Sequence, residues 1–290
     1  MTQIITSLSE ISESYDALFC DLWGCVHDGL TPFAEAVAAL QAFRAKGGTV
    51  MMVTNAPRPH APVRRQLERL GVPSDAYDGI ATSGDSARAA MLRGAVGEKV
   101  YFIGQSHDQD FFTPLELIEN PVVISQVALE QAEGIVCCGP FDPLADPDEM
   151  RAHFLQAKAR GLKLLCANPD IVVDRGETRE WCAGALAKLY TEMCGESLYF
   201  GKPHPPIYDL ARRRLEALGK DIPDSRILCV GDGILTDIDG AMGEDLDSLF
   251  ITGGLAAQET QTTDQPDPAA LTAYLTKEMR QPTYSIGKLR

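Results

Sequence analysis

Short apolar runs rich in strand-forming residues alternate with segments of helical period along much of the chain. The runs are ALFC at 17–20, TVMMV at 49–53, ILCV at 227–230 and SLFI at 248–251. Each is apolar at both sets of alternating positions, as a strand buried on both faces must be. Between them, amphipathic stretches from Phe33 to Lys46 and from Pro62 to Leu70 predict helices. The alternation predicts an α/β fold, a doubly wound parallel sheet with helices on both faces.

The middle of the chain repeats the pattern with its own strands: VYFIG at 100–104, VVIS at 122–125, GIVCCG at 134–139 and LKLLCANPD at 162–170. Helical segments are expected near Pro147 to Arg160 and Arg179 to Gly195. A set of apolar strands this complete predicts an inserted α/β domain over 84–196 and a first domain made of 1–83 plus 197–290. The linkers fall near Thr82-Ser83-Gly84 and Gly195-Glu196-Ser197.

Composition narrows the classes. The 290 residues are 45% hydrophobic and 23% charged, enough apolar material for two cores. No run approaches the roughly 18 apolar residues of a membrane span, and the first residues lack the regions of a signal peptide. The expectation is a cytoplasmic protein without a membrane partner. Eight cysteines lie mostly inside apolar segments and form no CxxC pair, which predicts reduced core thiols rather than a zinc or redox motif. A formal net charge of −15 and the lack of a basic stripe argue against nucleic acid. An anionic small ligand would need local positive charge from a metal, a lysine or backbone N–H groups.

In open α/β sheets ligands sit beyond the carboxyl ends of the strands. Three of the runs are followed there by polar residues: Asp21, Thr54-Asn55 and Asp232. Each alone would be an ordinary turn or cap residue; three in register point to a site. By themselves Lys202 reads as a solvated lysine and Asp237 as a residue that starts a helix.

Taken in order, Asp21-Leu22-Trp23-Gly24, Thr54-Asn55, Gly201-Lys202-Pro203 and the run from Gly231-Asp232-Gly233 to Thr236-Asp237 resemble the four-motif set of the haloacid dehalogenase (HAD) superfamily. The resemblance covers about residues 16–255, and the insertion is similar to the C2-type cap of class IIA, the NagD-type and nitrophenylphosphatase branch. Val53 to Arg58, Asn168-Pro169-Asp170 and Gly184-Ala185-Leu186 add to the similarity. The resemblance implies a Rossmann-like core with an inserted α/β cap, and a Mg²⁺-dependent phosphohydrolase that acts on a small phosphorylated metabolite through an aspartyl-phosphate. It implies Asp21 as nucleophile and metal ligand, with the main-chain carbonyl of Trp23 and the carboxylate of Asp232 as further ligands. Asp237 would hold metal-bound water or orient Lys202, and Lys202 would balance charge on the nucleophile and the phosphoryl oxygens. Thr54 and the N–H of Asn55 would bind those oxygens, and Arg58 and Asp170 are candidate substrate contacts. The residue types suit the chemistry. A dianionic phosphate repels a carboxylate nucleophile unless a cation bridges the two, and Mg²⁺ is a hard ion that takes carboxylate, carbonyl and phosphate oxygens.

One position departs from the pattern. In phosphatases of this superfamily a second aspartate stands two residues after the nucleophile and handles the proton of the leaving oxygen; here that residue is Trp23. An indole only donates and shuttles no proton at neutral pH. General acid–base help is worth about 10²–10⁴-fold, roughly 3–5 kcal/mol of barrier. His27 and Asp28 are candidate substitutes, with a surface loop histidine and an Asp28-Gly29 hairpin turn as the plainer readings. Trp23 itself reads either as a stacking platform for a substrate ring or as apolar filler. The alternative to an enzyme is a catalytically impaired HAD protein that binds a phosphate ligand or regulates. A dinucleotide loop at Gly231-Asp232-Gly233 fails, because position 236 is threonine where a third glycine is required. The sequence leaves the substrate and the oligomeric state open, a homodimer among the options.

Overall fold

The computed structural model describes residues 2–113, 120–175 and 178–290. The chain forms two compact units, one made of Met1–Thr54, Arg64–Ala81 and Lys202–Arg290, the other of Asn55–Val63 and Thr82–Gly201. Among the described residues no helix is long and apolar enough to cross a membrane.

The first unit is built on a seven-stranded sheet in the order Gln3–Ile4, Tyr284–Ile286, Asp247–Ile251, Ile227–Gly231, Ala17–Cys20, Thr49–Thr54 and Gly79–Thr82. From Gln3–Ile4 to Thr49–Thr54 every pair is parallel. Alternate positions face opposite sides. Ala17, Phe19, Met51, Val53, Ile227 and Cys229 pack on one face with Ile207, Tyr208, Ala211 and Leu215 of the helix Pro205–Ala217. The remaining positions of these strands are buried as well, which explains why the runs are apolar throughout. Towards the Tyr284–Ile286 end of the sheet, Phe250 packs with Ile234, Ile238 and with Leu271 and Leu275 of the helix Pro268–Glu278.

Ala17–Cys20 is central, with Ile227–Gly231 on one side and Thr49–Thr54 on the other. Chain order runs outward in opposite directions from the Ala17–Cys20/Ile227–Gly231 pair, which makes it the topological switch point where doubly wound sheets hold ligands. Asp21 and Asp232 stand at the carboxyl ends of these two strands.

The second unit has a five-stranded parallel sheet in the order Glu196–Tyr199, Lys163–Cys166, Gly134–Cys137, Lys99–Ile103 and Ser125–Gln126. Ile135, Cys137, Leu164 and Cys166 face one core with Phe154 and Tyr190, while Val136, Cys138 and Leu165 face the other with Met91 and Phe111. An antiparallel pair, Val172–Arg175 with Thr178–Trp181, forms a separate two-stranded sheet.

Most expected elements appear within a residue or two, with two corrections. The run at 122–125 contributes only Ser125–Gln126, an exposed pair at the sheet edge, with Val123 left in solvent. The helix expected from Arg179 begins at Ala183, since Thr178–Trp181 is claimed by pairing with Val172–Arg175. Seven cysteines are buried and Cys194 is exposed; all are free thiols.

Candidate active site

Cys20 lies opposite Val230 on one neighbouring strand and Met52 on the other, and the Asp21 N–H donates to Val230 O at 2.8 Å. The sheet's own register therefore brings Asp21 beside the Gly231-Asp232-Gly233 turn. Past that turn the chain winds into one wide π-type turn, Ile234–Ile238, of a kind often found at functional sites. There Asp237 turns back so that its Oδ2 accepts the Gly233 N–H at 3.1 Å.

Lys202 is 3% exposed, and its Nζ lies 2.7 Å from Asp21 Oδ1 and 2.7 Å from Asp237 Oδ1. Burial alone would discharge the ammonium, but the two carboxylates hold its pKa above the ordinary value. The contact expected between Asp237 and Lys202 is present. Asp232 is buried too, and its Oδ2 accepts the Leu255 N–H at 3.1 Å. Burial, then repulsion from Asp21 and Asp237, pushes its carboxyl well up; burial also raises Asp237, against the pull of Lys202. The backbone closes tightly around Asp232: a Cβ at Gly24, where φ is +75°, or at Gly254 would overlap its Oδ2.

Asp21, Asp232 and Cys25 offer ligand atoms that all lie within 4.8 Å of one another. Three largely buried carboxylates, Asp21, Asp232 and Asp237, face one ammonium. That surplus of negative charge at oxygen donors fits a hard divalent cation. Cys25 was expected to be a core thiol and is indeed buried, but beside these carboxylates; nothing in its spacing announces this. The Gly253-Gly254 pair after the strand Asp247–Ile251 is the sequence signal of this close backbone approach.

Trp23 is half-buried, with its indole edge-on to the His27 ring at a centroid distance of 5.3 Å. Gly29 lies against the indole so closely that a Cβ there would overlap it. The reading of His27 as a surface residue is corrected: it is 2% exposed, because the loop folds back and the Gly24 N–H donates to His27 O at 2.9 Å. Its Nδ1 accepts the Gly29 N–H at 3.0 Å, and burial lowers its pKa to about 4, so the ring is neutral near pH 7. Asp28 is exposed; its carboxylate accepts the Thr31 N–H at 2.7 Å and the Leu30 N–H at 2.9 Å, which hold its pKa below the usual range. Both proposed substitutes for the missing aspartate are thus engaged in the loop's own hydrogen bonds.

Thr54 ends the strand beside Asp21 and is buried. Asn55, the next residue, belongs to the second unit, where its Nδ2 donates to Asp170 Oδ1 at 2.8 Å. Asp170 in turn donates its N–H to Asn168 Oδ1 at 3.1 Å, so the structure ties these two expected residues to each other. Arg58 is partly exposed in the same unit.

Two family models match the sequence, haloacid dehalogenase-like hydrolase over residues 18–117 and HAD-hydrolase-like over residues 199–277. A solved hydrolase of the haloacid dehalogenase-like family from Brucella suis 1330 is 40% identical, with 99% of this chain and 100% of that one covered and a TM-score of 0.85. The chain belongs to the haloacid dehalogenase-like hydrolases. Within that family, a possible sugar phosphatase from Cytophaga hutchinsonii ATCC 33406 is similar in fold, at 18% identity, 99% and 98% coverage and a TM-score of 0.77. A glycerol phosphate phosphatase from Mycobacterium tuberculosis, solved in complex with magnesium, is 25% identical over 99% of this chain and 78% of its own, with a TM-score of 0.66. No curated protein matches the sequence significantly.

Proposed function

We propose that this family member is a Mg²⁺-dependent phosphohydrolase that acts on a small phosphorylated metabolite, with Asp21 as the nucleophile. The observation that carries the reading is the Lys202 ammonium, fixed at 2.7 Å from both Asp21 and Asp237 next to the buried Asp232. The names of its relatives, a possible sugar phosphatase and a magnesium-bound glycerol phosphate phosphatase, support the substrate class and the metal.

Lys202 keeps the Asp21 carboxylate ionised and oriented, and the same ammonium balances charge on the incoming phosphoryl oxygens. Asp237 holds that lysine in place. Asp21, Asp232 and the Trp23 carbonyl would hold Mg²⁺, which would supply the positive charge that a dianionic phosphate needs to approach a carboxylate. The Thr54 hydroxyl and the Asn55 N–H donate to the phosphoryl oxygens, and Arg58 and Asp170 are proposed substrate contacts. In the first step an Asp21 oxygen bonds to phosphorus as the bond to the leaving oxygen breaks, and the leaving group takes the electron pair. In the second, water attacks phosphorus as the bond to the Asp21 oxygen breaks, which restores the carboxylate, and the water's protons stay on the phosphate or pass to solvent.

Trp23 provides no proton for the leaving oxygen, and His27 and Asp28 are bound within their loop. Leaving groups that depart as stable anions, aryl or acyl phosphates, are therefore the favoured substrates. The same observation supports a second reading, in which the site binds a phosphate ligand without turning it over. A phosphate-release screen over sugar, nucleotide, aryl and acyl phosphates with Mg²⁺, on wild type and Trp23→Asp, separates the two. Release by wild type supports the enzyme. Inactivity of wild type with tight retention of phosphate or vanadate supports the binding protein.

A further inference from the structure

Cys25 is the one sulfur among the described residues whose Sγ falls within a ligand cluster with two carboxylates. It is 1% exposed, and among the described residues its thiol makes no hydrogen bond. Other buried thiols find a partner: Cys20 donates to Asp21 O at 3.2 Å and Cys166 to Asn168 O at 3.3 Å. The loop turns residue 25 inward, since the N–H groups of Val26 and His27 both donate to Leu22 O, at 2.8 and 3.2 Å. An unpartnered buried sulfur thus joins Asp21 and Asp232 where the hard cation is proposed to sit.

We propose that Cys25 makes this a site for a thiophilic divalent cation, Zn²⁺ or Cd²⁺, bound through its sulfur together with Asp21 and Asp232 and competing with Mg²⁺ for them. The inference rests on the metal assignment above but not on turnover. Zn–S bonds of about 2.3 Å and Zn–O bonds of about 2.1 Å place a sulfur and an oxygen on one tetrahedral ion roughly 3.6 Å apart. The ligand atoms here lie within 4.8 Å of one another, near enough for one ion to draw them together. Mg²⁺ gains little from sulfur, so beside it Cys25 stays a thiol; a soft ion takes the thiolate and the proton leaves to solvent. The family's carboxylate and carbonyl donors alone would not make that distinction, whereas a sulfur third ligand does.

The test uses full-length protein stripped of metal with chelator, in a Cys194→Ala background because Cys194 is the exposed thiol. Cd²⁺ is the probe, read by its ultraviolet thiolate-to-metal charge-transfer band and by thermal shift. The expected result is a saturable band that Mg²⁺ competes away and that Cys25→Val and Cys25→Ser both lack. Both variants should keep the Mg²⁺ thermal shift, and their Cd²⁺ affinity should fall at least about tenfold, since losing even a group behind the ligands costs about 10–100-fold. If Cys25→Val does not fold, Cys25→Ser replaces the soft donor by a hard one of similar size and decides the matter. A band that survives either substitution, or equal Cd²⁺ affinities in variant and parent, overturns the proposal. The two readings fail separately: a Cys25-dependent band in a protein without phosphatase activity leaves this inference standing, and Mg²⁺-dependent phosphate release without any band leaves only the enzyme.

Discussion

Lys202 Nζ lies 2.7 Å from Asp21 Oδ1, in a place where the lysine is 3% exposed. An ammonium so buried is held charged by its partners, and its partners by it. Lys202→Met should therefore leave Asp21 and Asp237 facing each other without a counterion. Removing one member of a buried pair typically costs about 3–5 kcal/mol. Urea unfolding in chelator should show a loss of that order, and phosphate release should fall below detection. A variant with near-normal activity would refute the assigned role.

Mg²⁺ should stabilise the protein, because it relieves the crowding that raises the Asp232 and Asp237 carboxyls. At 100 times Kd the gain is about 2.7 kcal/mol, visible as a rise in Tm that EDTA reverses. Asp232→Asn should abolish the rise. Gly254→Ala should weaken it, since the added methyl overlaps Asp232 Oδ2. Coincident melting curves with and without saturating Mg²⁺ would remove the metal from the site.

Leaving groups should separate sharply. With no acid at Trp23, nitrophenyl phosphate should be cleaved well ahead of sugar phosphates, because an alkoxide needs a proton and a nitrophenolate does not. The second step lacks its base as well, so a burst of nitrophenol followed by slow turnover is expected. Trp23→Asp should raise the steady rate, by up to about 10²–10⁴-fold if the loop is undisturbed. Asp21→Asn should abolish burst and turnover alike. Ordinary rates on alkyl phosphates with no burst would contradict the assignment, unless His27 or Asp28 substitution removes them.

Buried His27 should make the protein sensitive to mild acid. Its pKa drops from 6.5 to about 4 on folding, so above pH 6.5 the residue is neutral in both states and contributes no slope. As pH falls from 6.5 towards 4 the unfolded chain takes up a proton that the folded one does not, and stability is lost, on the order of 3 kcal/mol in full. The raised Asp232 and Asp237 carboxyls act in the opposite sense, so the informative quantity is a difference. The stability of wild type relative to His27→Gln should decline between pH 6.5 and pH 4.5. A constant difference would mean that the ring is not held neutral.

The fold class was legible in the sequence, and so was the set of polar residues proposed as the site. Strands buried on both faces must be apolar at every position, so runs such as 17–20 and 227–230 are visible without a structure, and the polar residues that end them mark the sheet's carboxyl edge. Asp21, Thr54 and Asp232 were legible for that reason, and Lys202 and Asp237 through the ordered motifs they complete. Tertiary structure decided what depends on contacts between segments distant in sequence. The pairing of Thr178–Trp181 with Val172–Arg175 overrode a helical pattern. The ring of Trp23 and the returning loop buried His27, whose plainer reading was a surface loop histidine. Asn55 and Asp170, 115 positions apart, are joined side chain to side chain by the fold alone. Cys25 looks in sequence like any thiol in an apolar run, and only the fold of residues 22–27 against the Asp232 turn sets its sulfur among carboxylates. Periodicity records which side of an element is buried; what a buried atom meets there is set by the packing of the whole chain.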